Sequence, residues 1–329
     1  MIALLLHALL LATVVPHPRG YVCPHTAVPP RIDGRLNDSA WRRAPWTDFF
    51  VDIEGDAKPK PRFRTRAKML WDDQYLYIAA QLEEPLPWAT LTVHDSVIFR
   101  DSDFEVFLDP DSDSHNYFEF EINALNTSWD LFLPKPYKDG GSADNSWEIP
   151  GLKTAVHVEG RLNDPAKRSR RWTVEMAFPW DAFAHGGYRA SKPRQGDQWR
   201  INFSRVEWRT RVVNGTIEKI PETKEDNWVW SPQGKVNMHL PEYWGYVQFE
   251  DSAGVPFRKD PHWEARMLVQ EFYETQVAFK KAHGRWAGSK EELGLDGSPV
   301  TFTPGATGWR ASFEGVVIEQ DARVSASAN

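Results

Sequence analysis

Strict alternation of apolar and polar residues over short runs is the feature that most limits how this chain can fold. In FRTRAKMLW, Thr65, Ala67, Met69 and Trp71 alternate with Arg64, Arg66 and Lys68. A period of two puts each set on its own face of a strand. Comparable short runs are YLYIAAQL, DFEVFLD, YFEFEINAL, SWDLFL, TAVHVEG, RWTVEMAF, QWRINFSRV and WGYVQFE, with Gly, Pro, Asp and Asn between them. Many short strands joined in this way indicate an all-β antiparallel sandwich. Before residue 260 we read only one short helical turn, near Ser39 to Arg43, behind the Asn/Asp cap in PPRIDGRLNDSAW.

The pattern changes after Asp251. DSAGVPFRKDP reads as a linker, and HWEARMLVQEFYETQVAFKKAHG then places Met267, Leu268, Phe272, Val277 and Phe279 along one helical face that ends near Gly284. VTFTP and GWRASFEGVVIEQ alternate as strands do, so residues 251–329 form a small C-terminal α+β appendage. At the other end, the apolar run from Ile2 to Val15 is too short to span a bilayer and reads as a signal-peptide core. The chain thus divides into a leader at residues 1–23, a sandwich at 24–250 and the appendage, and the protein is expected outside the cytoplasm. Cys23 is the single cysteine, which excludes an intrachain disulfide. Val22 ahead of it argues against lipid anchoring, and no further segment reads as transmembrane.

A formal charge of −7 and a pI near 5.8 disfavour nucleic acid and anionic membrane surfaces as partners. Sixteen tryptophans are an unusual number. Trp serves either as a core anchor or as a flat stacking surface.

The stretch DSDFEVFLDPDSDSHNYFEFEINALN concentrates the chemistry. Strand period places Phe104, Val106 and Leu108 on one face of its first strand, with Glu105, Phe107 and Asp109 on the other. In the second strand, Phe118, Phe120 and Ile122 face the core, opposite Glu119, Glu121 and Asn123. If the strands pair as a hairpin, Glu105, Glu121 and Asn123 share a polar face flanked by aromatics such as Trp129. Sugars suit such a face, since a pyranose stacks its C–H side on rings and directs hydroxyls at polar groups. A solvated outer face is the competing reading. Glu105 and Glu121 could also form a hydrolytic carboxylate pair, although nothing in the sequence separates their acidities. Asp109, Asp111 and Asp113 form a D-x-D-x-D run that either wraps a structural calcium ion or keeps a turn soluble.

The ordered succession PPRIDGRLNDSAW, AKMLWDDQYLYIAAQLEEP, DSDFEVFLDPD, YFEFEIN, RWTVEMAFPW, WSPQG and WGYVQFED resembles carbohydrate-binding module family 9 and its family 9-like bacterial branch over residues 28–250. The resemblance implies a β-sandwich that binds a saccharide without cleaving it, often with structural calcium. It also implies a sugar clamped between two tryptophans, in places held here by Phe99 and Met238. Glu105 keeps the family's sugar-contacting carboxylate, the arginine of the next strand is matched by Glu121, and an amide near the second tryptophan by Lys235.

Two further alternatives follow from the sequence. Related sandwiches bind haem through Met with His or Lys, for which Met69, His94, His115, Met238 and His239 are candidates, although one cysteine provides no c-type attachment motif. Arg205, Glu207, Trp208 and Arg209 stand where a strand leaves the core, as ligand contacts or as a surface ion-pair cluster.

Overall fold

The computed structural model describes residues 15–327. Residues 1–14, which carry most of the apolar run expected to be a leader, lie outside the described residues. Among those residues no helix is long and apolar enough to cross a membrane. The chain forms two units, a larger one of Pro18–Arg258 with Glu319–Ser325, and a smaller one built mainly from Lys259–Ile318.

The larger unit runs through β1 (Gly20–Pro24), β2 (Val51–Asp52), β3 (Thr65–Trp71), β4 (Tyr75–Glu83), β5 (Asp103–Asp109), β6 (Tyr117–Asn123) and β7 (Ser128–Leu133). It continues with β8 (Lys153–Glu159), β9 (Arg171–Pro179), β10 (Ala184–His185), β11 (Tyr188–Arg189) and β12 (Gln198–Glu207). The last four are β13 (Thr210–Val213), β14 (Thr216–Lys219), β15 (Asp226–Val229) and β16 (Gly245–Glu250). One sheet has eight strands, in the order β1-β16-β12-β5-β6-β7 with β15 and β2 off the path, and the second has four, β3-β4-β9-β8. The pairing is antiparallel except between β1 and β16.

The expected alternation organises the core. Phe104, Val106, Leu108, Phe118, Phe120 and Ile122 point inward from β5 and β6, toward Met69 and Ile78 of β3 and β4 and Val174, Met176 and Phe178 of β9. Phe120 meets Phe178 edge to face across the sheets at 5.3 Å, a geometry aromatic pairs prefer. This is the antiparallel sandwich read from the sequence, but its limits differ. The boundary drawn at residue 23 falls inside β1, where Tyr21 and Cys23 are buried in the core. Tyr21 Oη also donates to Pro45 O at 2.8 Å and accepts from Met69 N at 3.0 Å. At the other end the unit reaches Arg258 and includes Glu319–Ser325.

In the smaller unit, α1 (Trp263–His283) ends at Gly284, whose φ of 72° is left-handed and whose N–H caps Lys280 O at 2.8 Å. The antiparallel strands β17 (Thr301–Pro304) and β18 (Trp309–Phe313) follow. Phe272 of the helix packs on Phe302 at 5.2 Å and on Trp309 at 6.1 Å.

Arg205 and Glu207 are buried rather than displayed at the surface. The Arg205 guanidinium binds Glu84 at 2.7 Å and Glu207 at 2.8 Å, and donates to Glu83 O at 2.9 Å and Thr65 Oγ1 at 3.1 Å. The ligand-contact and surface-cluster readings both fail for this pair, because β12 carries them into the sandwich. Removing one partner of a buried ion pair strands the other charge. Arg205→Ala should therefore cost about 3–5 kcal/mol in urea unfolding, and an unchanged midpoint would contradict this role.

Candidate functional site

The outward face of the eight-stranded sheet is covered by loops rather than solvated. Strand pairing sets Glu105 directly opposite Glu121, and Phe107 opposite Glu119, while Trp129 of β7 faces Glu121. Three loop segments bring Phe99, Tyr137 and Met238-His239 over these positions, enclosing a cleft of about 290 Å³. Glu105, Glu119 and Glu121 are thereby only 4%, 4% and 1% exposed.

Hydrogen bonds to the loops fix the rim. Glu121 Oε2 accepts from Phe99 N at 2.9 Å, and Trp208 Nε1 donates to Phe99 O at 2.8 Å. Phe99 remains 38% exposed, and its ring lies 6.3 Å from that of Trp129, tilted by 34°. Trp129 Nε1 donates to Asn145 Oδ1 at 2.9 Å, which orients the indole. On the opposite loops, Trp244 Nε1 and Gln233 Nε2 donate to Met238 O at 2.9 and 3.1 Å. The His239 ring lies 4.5 Å from Tyr137 and 5.8 Å from Phe107, and its Nδ1 is 3.0 Å from Tyr117 Oη.

The floor is unusual electrostatically. Burial pushes the Glu105 carboxyl up to about 7. Burial, followed by the charge of Glu105, raises Glu119 and Glu121 well above the usual carboxylate range. Asp103, at the end of the same strand, is raised for the same reasons. Burial holds His239 down to about 4, so its imidazole is neutral near pH 7. Among the described residues, none lining the cleft is Lys or Arg.

Phe99, Glu105, Glu121, Trp129 and Met238, all singled out from the sequence, meet in this cleft. Asn123 and Lys235 are not among its lining residues. Asn123 ends β6 and is fully buried: its Nδ2 donates to Leu91 O and Asp101 Oδ2 at 2.9 and 3.0 Å, and its Oδ1 accepts from Leu125 N and Thr127 N at 2.9 and 3.1 Å. Its role is to hold the segment leading to Phe99. Lys235 stands 5.9 Å from the centre of the Tyr243 ring, and the amide in the cleft from that loop is Asn237. Tyr137, His239 and Asn237 were not predicted as sugar contacts, since each comes from a loop without periodic pattern.

Oxygens of Asp109, Asp111 and Asp113 lie within 4.8 Å of one another, an all-oxygen donor set of the kind calcium takes. Asp109 accepts from Ser112 N and Ser114 N, both at 3.0 Å, and Asp113 from His115 N at 2.7 Å and from the Arg323 guanidinium. Asp111 is exposed. The haem candidates are dispersed: Met69 lies in the sandwich core, Met238 and His239 line the cleft, and His94 is exposed beside Asp95 and Asp130 at 3.4 and 3.5 Å.

A sandwich with a loop-walled, aromatic and acidic cleft on one sheet defines a ligand-binding β-sandwich. The chain belongs to the family described as carbohydrate family 9 binding domain-like, which it matches over residues 32–231. It is 29% identical over 101 residues to endo-1,4-beta-xylanase C of Paenibacillus barcinonensis, spanning 31% of this chain and 8% of that protein. With exoglucanase XynX of Acetivibrio thermocellus the identity is 26% over 153 residues, spanning 46% of this chain and 12% of that protein. The chain therefore matches only a small part of either relative. A solved candidate carbohydrate-binding protein from Bacteroides uniformis shares the fold with a TM-score of 0.53 at 14% identity, over 71% of this chain and 100% of that one. A family 9 module from Caldicellulosiruptor kristjanssonii in complex with cellotriose aligns with a TM-score of 0.46 at 17% identity, over 73% and 100% of the two chains.

The raised carboxyls give stability a defined pH dependence. Folded Glu105 keeps its proton up to about 7, against an ordinary value of 4.5. The folded state thus binds the extra proton between these values. Stability is full below the lower value and is lost as pH rises through the upper one. Thermal midpoints should fall across this window, and Glu105→Gln should flatten the fall. A midpoint that rises with pH there would contradict the burial of the floor.

Proposed function

We propose that the protein is a non-catalytic saccharide-binding module that acts outside the cytoplasm and captures glycans, in support of their breakdown. One observation carries this reading: the half-exposed rings of Phe99 and Trp129 stand 6.3 Å apart at a cleft whose floor is Glu105 and Glu121. Such rings offer apolar faces to a pyranose, and the carboxylates accept from its hydroxyls. Membership of the family supports the same conclusion, and the chain's partial similarity to a xylanase and an exoglucanase is compatible with glycan breakdown nearby.

The carboxylates are poorly arranged for hydrolysis. A hydrolytic pair works when its environments push the two acidities apart, one acid staying protonated and the other ionised. Glu105 and Glu121 are cross-strand neighbours that burial shifts in the same direction.

Glu105→Ala and Trp129→Ala should each weaken saccharide binding at least about tenfold on a glycan array followed by calorimetry, with the fold retained by circular dichroism. Binding unchanged in both variants would refute the assignment of the cleft. We propose in addition that Asp109, Asp111 and Asp113 hold a structural calcium ion. Chelation should then lower the thermal midpoint by at least about 2 °C, restored by calcium. Equal midpoints with calcium and with chelator would remove the ion from the account.

A further inference from the structure

The cleft gathers four carboxyl groups whose ionisation a neutral ligand cannot compensate. Glu105, Glu119, Glu121 and Glu225 all line it, and among the described residues its lining includes neither Lys nor Arg. The imidazole of His239, held neutral by burial, adds no compensating charge. Glu105 Oε2 and Glu119 Oε2 are buried and have no hydrogen-bond partner among the described residues. Neither oxygen is needed to hold the fold by hydrogen bonding, and a buried acceptor without a donor is costly.

The walls narrow the choice of counter-charge. Phe99, Trp129 and Tyr137 contribute rings to the same cleft, and the negative face of an aromatic ring attracts an organic cation. An ammonium group supplies three donors that neighbouring carboxylates can share. The volume of about 290 Å³ is far larger than a bare ion requires, and lies at the small end of ligand pockets.

We propose that the cleft selects saccharides bearing a protonated amine, of the glucosamine class, over neutral hexoses, with the ammonium on Glu105 and Glu121 and the sugar ring against Phe99 and Trp129. This selectivity rests on the reading of the cleft as the saccharide site.

Three disaccharides that share a β-1,4 linkage and differ at carbon 2 test it: the glucosamine dimer, its N-acetylated form, and cellobiose. Calorimetry on the full chain near neutral pH, with chelator present, should show the amine form binding at least about tenfold more tightly than either neutral sugar. Glu121→Gln should weaken the amine form by a factor at least about fivefold larger than its effect on cellobiose, and an equal loss for both sugars would overturn the inference. Cellobiose binding as tightly as the amine form would overturn this inference and leave the saccharide reading standing. Binding of none of the three, nor of any arrayed glycan, would overturn both. Oxygens of Asp103, Glu105 and Glu121 also lie within 4.8 Å of one another. Stoichiometric calcium binding that is lost in Glu121→Gln and abolishes amine selectivity would assign these oxygens to a metal and overturn the inference too.

Discussion

The register between β5 and β6 governs both the core and the cleft. Val106 stands opposite Phe120 and Phe104 opposite Ile122, while the alternate pair is Glu105 with Glu121. A slip of one residue would exchange the faces, driving carboxylates between the sheets and phenylalanines outward. The pairing of two like charges is unfavourable in itself. It persists because the same register buries six large apolar side chains of these strands in the sandwich core, each worth roughly 1.5–3 kcal/mol.

The molecule treats buried carboxylates in two ways. Glu84 and Glu207 are enclosed with Arg205, whose guanidinium donates to both. Their charge is answered inside the fold, so they join strands rather than bind anything. Glu105 and Glu119 are as deeply covered, yet each leaves an oxygen without a donor. Asp101 and Asn123 hold the segment leading to Phe99, and Trp208 and Glu121 hold Phe99 itself. The rim is therefore fixed by polar bonds while the floor is left with acceptor capacity. Acceptor capacity left open on a loop-walled face, with its rim held in place, is what a preorganised binding site requires.

Strand period was sufficient to identify the sandwich, the inward face of β5 and β6 and the outward position of Glu105, because side-chain direction in a strand depends on parity alone. Ordered family motifs added Phe99 and Met238, which do meet in the cleft. Loop geometry has no comparable code. Tyr137 and His239 approach from segments separated by a hundred residues, and no local pattern predicts their meeting at 4.5 Å. At Asn123, where the strand ends, parity alone could not foresee that the side chain bonds the next loop instead of lining the cleft. The same limit applies to Lys235, where a shift of two residues along an irregular loop makes Asn237 the amide that this loop gives the cleft. Burial of the floor was likewise invisible, since an outward strand face is usually hydrated and only the covering loops make it dry.

The central claim is that saccharide binds over the Glu105–Glu121 pair. A crystal structure of the protein soaked with a saccharide that it binds would test this most directly. The account predicts a sugar ring against Trp129 and Phe99, with Glu105 and Glu121 oxygens within hydrogen-bond distance of its polar groups. A saccharide seated on another surface, with this cleft holding only solvent, would contradict it.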